Sequence, residues 1–155
     1  MGLAFMVSWL IAQFDETIAN DALLAALMPV VALVGGNSGA QSLAIVIRAL
    51  ARNDISEARV FEVIGKQSFI GVVNGLFIGV LSFILLSATG LSNYALTLSI
   101  AVFGNIFIGN LFGSSIPLVL RKLGFDPALA SNIFLTLVTD IVGFAGFLGI
   151  ALLLI

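Results

Sequence analysis

The sequence has no cysteine and no histidine. Without cysteine there is no disulfide framework, no thiolate metal site and no catalytic thiol. Without histidine the commonest general base and transition-metal ligand is missing. Charge is scarce as well. Only 9% of the 155 residues are Asp, Glu, Lys or Arg, against about 25% in an average soluble domain. The formal net charge of −2 argues against a nucleic-acid partner. Apolar residues make up 61% of the chain, more than a water-soluble body of this size can bury, because small domains have little interior. Disorder needs low hydropathy and high charge, so it is excluded too. An integral, all-α membrane protein remains. Enzyme signatures are also missing: there is no GxSxG elbow, HExxH pair, P-loop or GxGD pattern, so no enzyme is expected.

The fourteen charges fall into groups. Asp15, Glu16 and Asp21 form the first; Arg48, Arg52, Asp54, Glu57, Arg59, Glu62 and Lys66 the second; Arg121, Lys122 and Asp126 the third; Asp140 stands alone. Between them lie five apolar segments, at roughly 1–14, 22–50, 67–89, 95–120 and 128–155. The first has no basic n-region and no small-residue cleavage site, so it is not read as a signal peptide. At 1.5 Å per residue it reaches about 21 Å, short of a hydrocarbon core of about 30 Å, and it reads as the truncated end of a longer first helix. All six Lys and Arg lie in the two loops near 48–66 and 121–126, and none near 15–21 or 90–94. The positive-inside rule therefore predicts a cytoplasmic N-terminus and an external C-terminus. A faint repeat at an offset of 73 aligns Gly36-Asn37 with Gly109-Asn110 and Ser42 with Ser115; parallel repeats occur in transporters.

Asp140 carries most of the functional information. It stands near the middle of the last segment, where a carboxylate costs roughly 2.5–3.5 kcal/mol and normally lines a pathway or pairs with a partner. Apart from Arg48 at the very end of the second segment, no Lys, Arg or His occurs inside any segment, so the complementary charge is expected to be a cation from solution. Asn132, Thr136 and Asp140 follow i, i+4, i+8 spacing and share one helix face. Their hard oxygen donors suit Mg²⁺, Ca²⁺ or Mn²⁺ rather than soft metals. One carboxylate cannot form a dehydrated cage, but Mg²⁺ keeps several waters and often uses one or two carboxylates.

The run GGNSGAQS at 35–42 is the second feature. Glycine weakens a helix by roughly 1 kcal/mol relative to Ala, so Gly35, Gly36 and Gly39 predict a break in the second helix at GGNSG. A break frees carbonyls, which is tolerated only beside protein or water. Asn37, Ser38 and Gln41 within the run leave two readings open, a pore wall or close packing by small residues. Gly71, Gly75 and Gly79 form a GxxxGxxxG ridge, read as helix–helix contact. Asn105, Asn110, Ser114 and Ser115 with Gly104, Gly109 and Gly113 are open between packing and a cavity wall. Trp9 and Tyr94 are candidate interfacial anchors. Asp126-Pro127 reads as a helix start, with Asp as N-cap and Pro at N1.

Met28-Pro29 followed by GGNSGAQSLAIVIRAL (35–50), DPALAS (126–131) and the stretch from Thr136 to Asp140 resemble the transmembrane domain of MgtE magnesium channels. The resemblance extends over the whole chain in order and spacing. It implies a homodimer in the cell (inner) membrane, among lipid, with five helices per subunit and an ion path on the two-fold axis. It also implies that the second and fifth helices line the pore, which brings in Gly35, Gly36, Asn37, Ser38 and Gln41. Asp140 would hold a largely hydrated Mg²⁺, with Asn132 toward the cytoplasmic end, Thr136 between them and Asp126 at the cytoplasmic mouth. The family's cytoplasmic magnesium-sensing region is not in this sequence, so residues 1–155 are expected to be one transmembrane channel domain. Where many relatives have Gly-Pro, this chain has Asn132-Ile133, and Leu137 replaces a frequent second Thr. The expected activity is a Mg²⁺ channel, with Mn²⁺, Co²⁺ or Ca²⁺ as further candidate ions. The alternatives are a carrier exchanging divalent cations with Na⁺ or H⁺, and a non-transporting scaffold.

Overall fold

The computed structural model describes residues 2–56 and 59–155. Met1, at the start of the first apolar segment, and Glu57, in the second charged group, lie outside the described residues. Six helices follow one another: α1 (Gly2–Ala12), α2 (Asp15–Asn20), α3 (Ala22–Ala51), α4 (Val60–Ala88), α5 (Ser92–Lys122) and α6 (Pro127–Leu154). No strand occurs among the described residues. The last four are 28 to 31 residues long and apolar enough to cross a membrane. At 1.5 Å per residue they reach about 42–46 Å, beyond the hydrocarbon core of about 30 Å. The surplus lies mostly at the charged ends: α4 begins at Val60, well before the apolar segment expected from 67, and α5 runs on through Lys122. The acidic stretch after α1 is a short helix, α2, rather than a plain loop.

The second apolar segment is not broken at GGNSG, contrary to the sequence expectation. α3 is continuous from Ala22 to Ala51 and residues 35–42 are helical throughout. An opened turn at this depth would leave backbone groups without water, at several kcal/mol each. The glycines instead let α5 approach. A Cβ on Gly39 would stand 2.8 Å from the Gly109 carbonyl oxygen, and one on Gly109 would stand 2.5 Å from the Gly35 carbonyl oxygen. Gly113 in turn faces the Gly39 carbonyl. Two small-xxx-small ridges, 35/39 and 109/113, thus interlock, and this close packing outweighs the weak intrinsic propensity of glycine.

α5 is the central helix and packs on α3, α4 and α6. It runs parallel to α3, with hydrogen bonds linking residues 68 to 74 apart along the seam. The offset of the faint repeat therefore falls within the register in which these two helices lie side by side. The expected glycine ridge of α4 is a helix contact: Gly71 meets Asn110, Gly75 meets Phe103 and Gly79 meets Ser99, all on α5. The other side of α4 is apolar and exposed, including Phe69, Phe77 and Phe83, as a lipid-facing helix requires.

Both ends of the bundle are closed. At one end Asp21 caps α3 by accepting from the Leu23 amide at 3.1 Å, and its other oxygen accepts from the Tyr94 hydroxyl. Tyr94 thus ties two loops together. At the opposite end Val46, Leu50, Ile55 and Leu118 form an apolar cluster. The loops without basic residues therefore share one end, and the basic loops begin at the other. Gly124, at φ +81°, closes α5, and the Phe125 amide returns to the Leu120 carbonyl at 2.9 Å, a left-handed C-terminal cap.

Candidate functional site

α6 starts as its sequence requires. The Asp126 carboxylate accepts from the Ala128 amide at 2.8 Å, with Pro127 in the first turn. Beyond this cap the helix has two faces. Ser131, Leu135, Thr139, Gly143 and Phe147 are buried in the bundle. Asn132 and Thr136 are exposed and Asp140 is half-buried.

Those three polar residues line one cleft of about 510 Å³, as their spacing requires. Its other wall is α1, through Leu3, Ala4, Val7 and Ser8. The Thr136 hydroxyl donates to the Asn132 carbonyl at 2.9 Å, which leaves its oxygen lone pairs facing outward. Asp140 has no basic residue at its depth to pair with, because the Lys and Arg of the four long spans lie toward their ends. Among the described residues no cluster of three or more carboxylates gathers that could strip and cage a metal ion. The cleft suits a cation that keeps its own water, which Mg²⁺ does more stubbornly than Ca²⁺.

The structure divides the expected pore-lining residues of α3 between two directions. Gly35 is buried against Asn105 of α5. Ser38 accepts from the Asn110 side-chain amide at 2.6 Å and so turns into the bundle. Asn37 and Gln41 lie on the open side. Gly36 lies between, and a Cβ there would stand 3.7 Å from the Thr139 hydroxyl. The open residues of α3 and the polar stripe of α6 therefore lie at matching depth, since Asn37 follows Gly36 and Asp140 follows Thr139.

The ambiguous residues of α5 resolve mostly into packing. Asn105, Asn110, Gly109, Gly113 and Ser114 are buried. Gly104 has open space where a Cβ would be, and Ser115 returns its hydroxyl to the Leu111 carbonyl at 2.7 Å. Tyr94 is a tie to Asp21 in addition to any anchoring role, whereas Trp9 is exposed on α1. Sequence reasoning missed the α1 wall. Its signal was the small pair Ala4 and Ser8 at i, i+4, with Ser8 the one hydroxyl in an otherwise apolar helix.

The family model described as "MgtE: Divalent cation transporter" matches residues 28–150. The chain is 33% identical over 146 residues to a magnesium transporter MgtE of Bacillus subtilis (strain 168), covering 92% of this chain and 32% of that protein. Against a magnesium transporter MgtE of Thermus thermophilus it is 33% identical over 153 residues, 97% of this chain and 33% of the relative. For one of Enterococcus faecalis the values are 31% over 141 residues, 90% and 31%. The chain thus spans about a third of the length of the curated relatives it matches. With four apolar helices long enough to cross a bilayer, it is a multi-pass protein of the cell membrane, and it belongs to the MgtE family of divalent cation transporters.

Proposed function

We infer that this chain is the membrane domain of a Mg²⁺ transport protein and that two copies conduct hydrated Mg²⁺ through a pore on their shared two-fold axis. The observation that carries the reading is Asp140. It is a half-buried carboxylate at mid-span, on one open face with Asn132 and Thr136, and no basic residue lies near the middle of any span. A symmetry-related copy brings a second carboxylate to the same ion, matching the one or two that Mg²⁺ accepts while keeping most of its waters. Asn37 and Gln41, open on α3 at similar depth, add donors for those waters. Asp126, exposed at the start of α6, draws cations to the entrance.

Sidedness belongs to the same proposal. The basic loops face the cytoplasm, the end bearing Asp21 and Tyr94 faces outward, and α1 beside α6 belongs to a fifth crossing. The inside-negative potential then favours entry by about 2.3 kcal/mol per charge per 100 mV, twice that for a divalent ion. The relatives named as magnesium transporters support Mg²⁺ as the cargo.

The test is Mg²⁺ uptake into vesicles holding the reconstituted protein. Asp140→Ala is expected to abolish uptake while leaving a folded protein; normal uptake by that variant overturns the proposal. Reversal potentials that follow the Mg²⁺ gradient alone are expected. A shift with an imposed Na⁺ or H⁺ gradient assigns a coupled carrier instead.

A further inference from the structure

Asn105 is buried to 1% exposure on α5 and is only half engaged. Its Nδ2 donates to the Val31 carbonyl of α3 at 2.9 Å, and its Oδ1 has no hydrogen-bond partner among the described residues. Asn110, five residues on and equally buried, donates to Ser38 at 2.6 Å and to the Ile106 carbonyl at 2.9 Å. A buried acceptor left unpaired is destabilising, because its desolvation is not offset. An apolar residue of similar size would fill the volume of Asn105 without that cost, so packing alone does not account for the amide.

Its position does. The amide is wedged between two glycines on two different helices. Gly35 of α3 faces it on one side. On the other, a Cβ on Gly143 of α6 would stand 2.6 Å from Nδ2 and 3.2 Å from Cγ. Asn105 therefore touches α3 and α6 together, the helices that carry the exposed Asn37 and Gln41 and the polar stripe of Asn132, Thr136 and Asp140. Gly143 lies three residues beyond Asp140, less than one turn away. Whatever sets the distance from Asn105 to Gly143 also sets where α6 holds its carboxylate relative to Asn37 and Gln41.

We propose that Asn105 is a positioning residue for the ion path: its amide is a rigid spacer, tied to the Val31 carbonyl, that fixes the separation of α3 and α6 and thereby the placement of Asp140. The inference rests on the functional reading of Asp140 given above. A planar amide fills the slot at one thickness, whereas a flexible apolar side chain such as Met adapts to several. Misplacing a site by about 1 Å can reduce activity about a hundredfold.

The test uses Asn105→Ala, Gly143→Ala and the double variant in reconstituted vesicles, with uptake measured as a function of Mg²⁺ concentration and melting followed in parallel. Asn105→Ala is expected to raise the half-saturating Mg²⁺ concentration about tenfold or to cut maximal uptake by a similar factor. Gly143→Ala, which drives a methyl into the amide, is expected to impair uptake with Asn105 intact. The double variant places that methyl in the vacated space and is expected to recover most of the loss. A second readout uses the absence of cysteine: a single Thr136→Cys reports the placement of α6 through its rate of thiol modification, which should change when Asn105→Ala is added. Melting changes accompanied by unchanged uptake curves and an unchanged modification rate overturn the proposal, as does a double variant no better than its worse parent. If Asn105→Ala does not fold, Gly143→Ala decides, and normal uptake by it counts against the spacer. Asp140→Ala run alongside separates the two ideas: if it transports normally the pore reading itself has failed, and if it is inactive while Asn105→Ala is normal only the spacer has failed.

Discussion

The α3–α5 seam and the open face of α6 use similar small and polar residues for opposite ends. At the seam, Gly35, Gly39, Gly109 and Gly113 bring two backbones together, and Ser42 donates to the Asn110 carbonyl at 3.1 Å across the contact. Every group there is turned toward another helix. On α6, Asn132 and Thr136 are exposed and Asp140 has no basic residue at its depth to pair with. Polar residues at membrane depth glue helices when they find each other. When they line a cleft without partners they are available to an ion. The type of residue does not separate the two roles; its face on the helix does.

Substitutions separate the regions further. The largest effect is expected from Gly113→Val. Gly113 presses on the Gly39 carbonyl, so a branched side chain must force the backbones apart. Overpacking of this kind costs about 1–3 kcal/mol or more, and the detergent-solubilised protein should lose its cooperative melt or melt well below the parent. An unchanged melt would show that the seam is loose. Asp140→Asn should reverse that pattern, with the melt kept and Mg²⁺ uptake reduced at least a hundredfold. Even a single unit-charge pair at 4 Å gains about 4 kcal/mol at an effective dielectric of 20, and the ion carries two charges. Thr136→Ala removes one oxygen worth about 1 kcal/mol, and a loss of about fivefold in uptake at low Mg²⁺ is expected with no change in melting. Tyr94→Phe is expected to be the mildest. It deletes the hydroxyl that reaches Asp21, so melting should fall by a few degrees at most while uptake is unchanged. A transport defect in Tyr94→Phe would mean that the end of the bundle bearing Asp21 and Tyr94 takes part in conduction.

Much of this was legible in the chain because its signals were local. Asp126 and Pro127 announce the start of α6 in two residues, and the i, i+4, i+8 spacing of Asn132, Thr136 and Asp140 needs only the helical period. The ridge at 71, 75 and 79 likewise needed only its spacing. The distribution of Lys and Arg sorted the loops into two ends before any contact was known. The glycine run at 35–42 misled for the complementary reason. Its propensity cost is local, whereas the compensating contact comes from Gly109 and Gly113, some seventy residues away. The α1 wall and the wedge at Asn105 were hidden for the same cause: both depend on which helix lies beside which, and periodicity within one segment does not carry that. The split of the GGNSGAQS residues, with Gly35 and Ser38 inward and Asn37 and Gln41 outward, follows once α3 is an unbroken helix, because residues one or two apart cannot share a face.

The central claim is that the carboxylate of Asp140 meets a hydrated divalent ion at an axis between two copies of the chain. Crystals of the protein grown with Mn²⁺, a scatterer whose anomalous signal locates it directly, test this in one experiment. A single peak is predicted on the two-fold axis between the two Asp140 side chains, at a distance that leaves room for a bridging water. Asp140 facing lipid, or metal bound elsewhere with no peak at the axis, contradicts it.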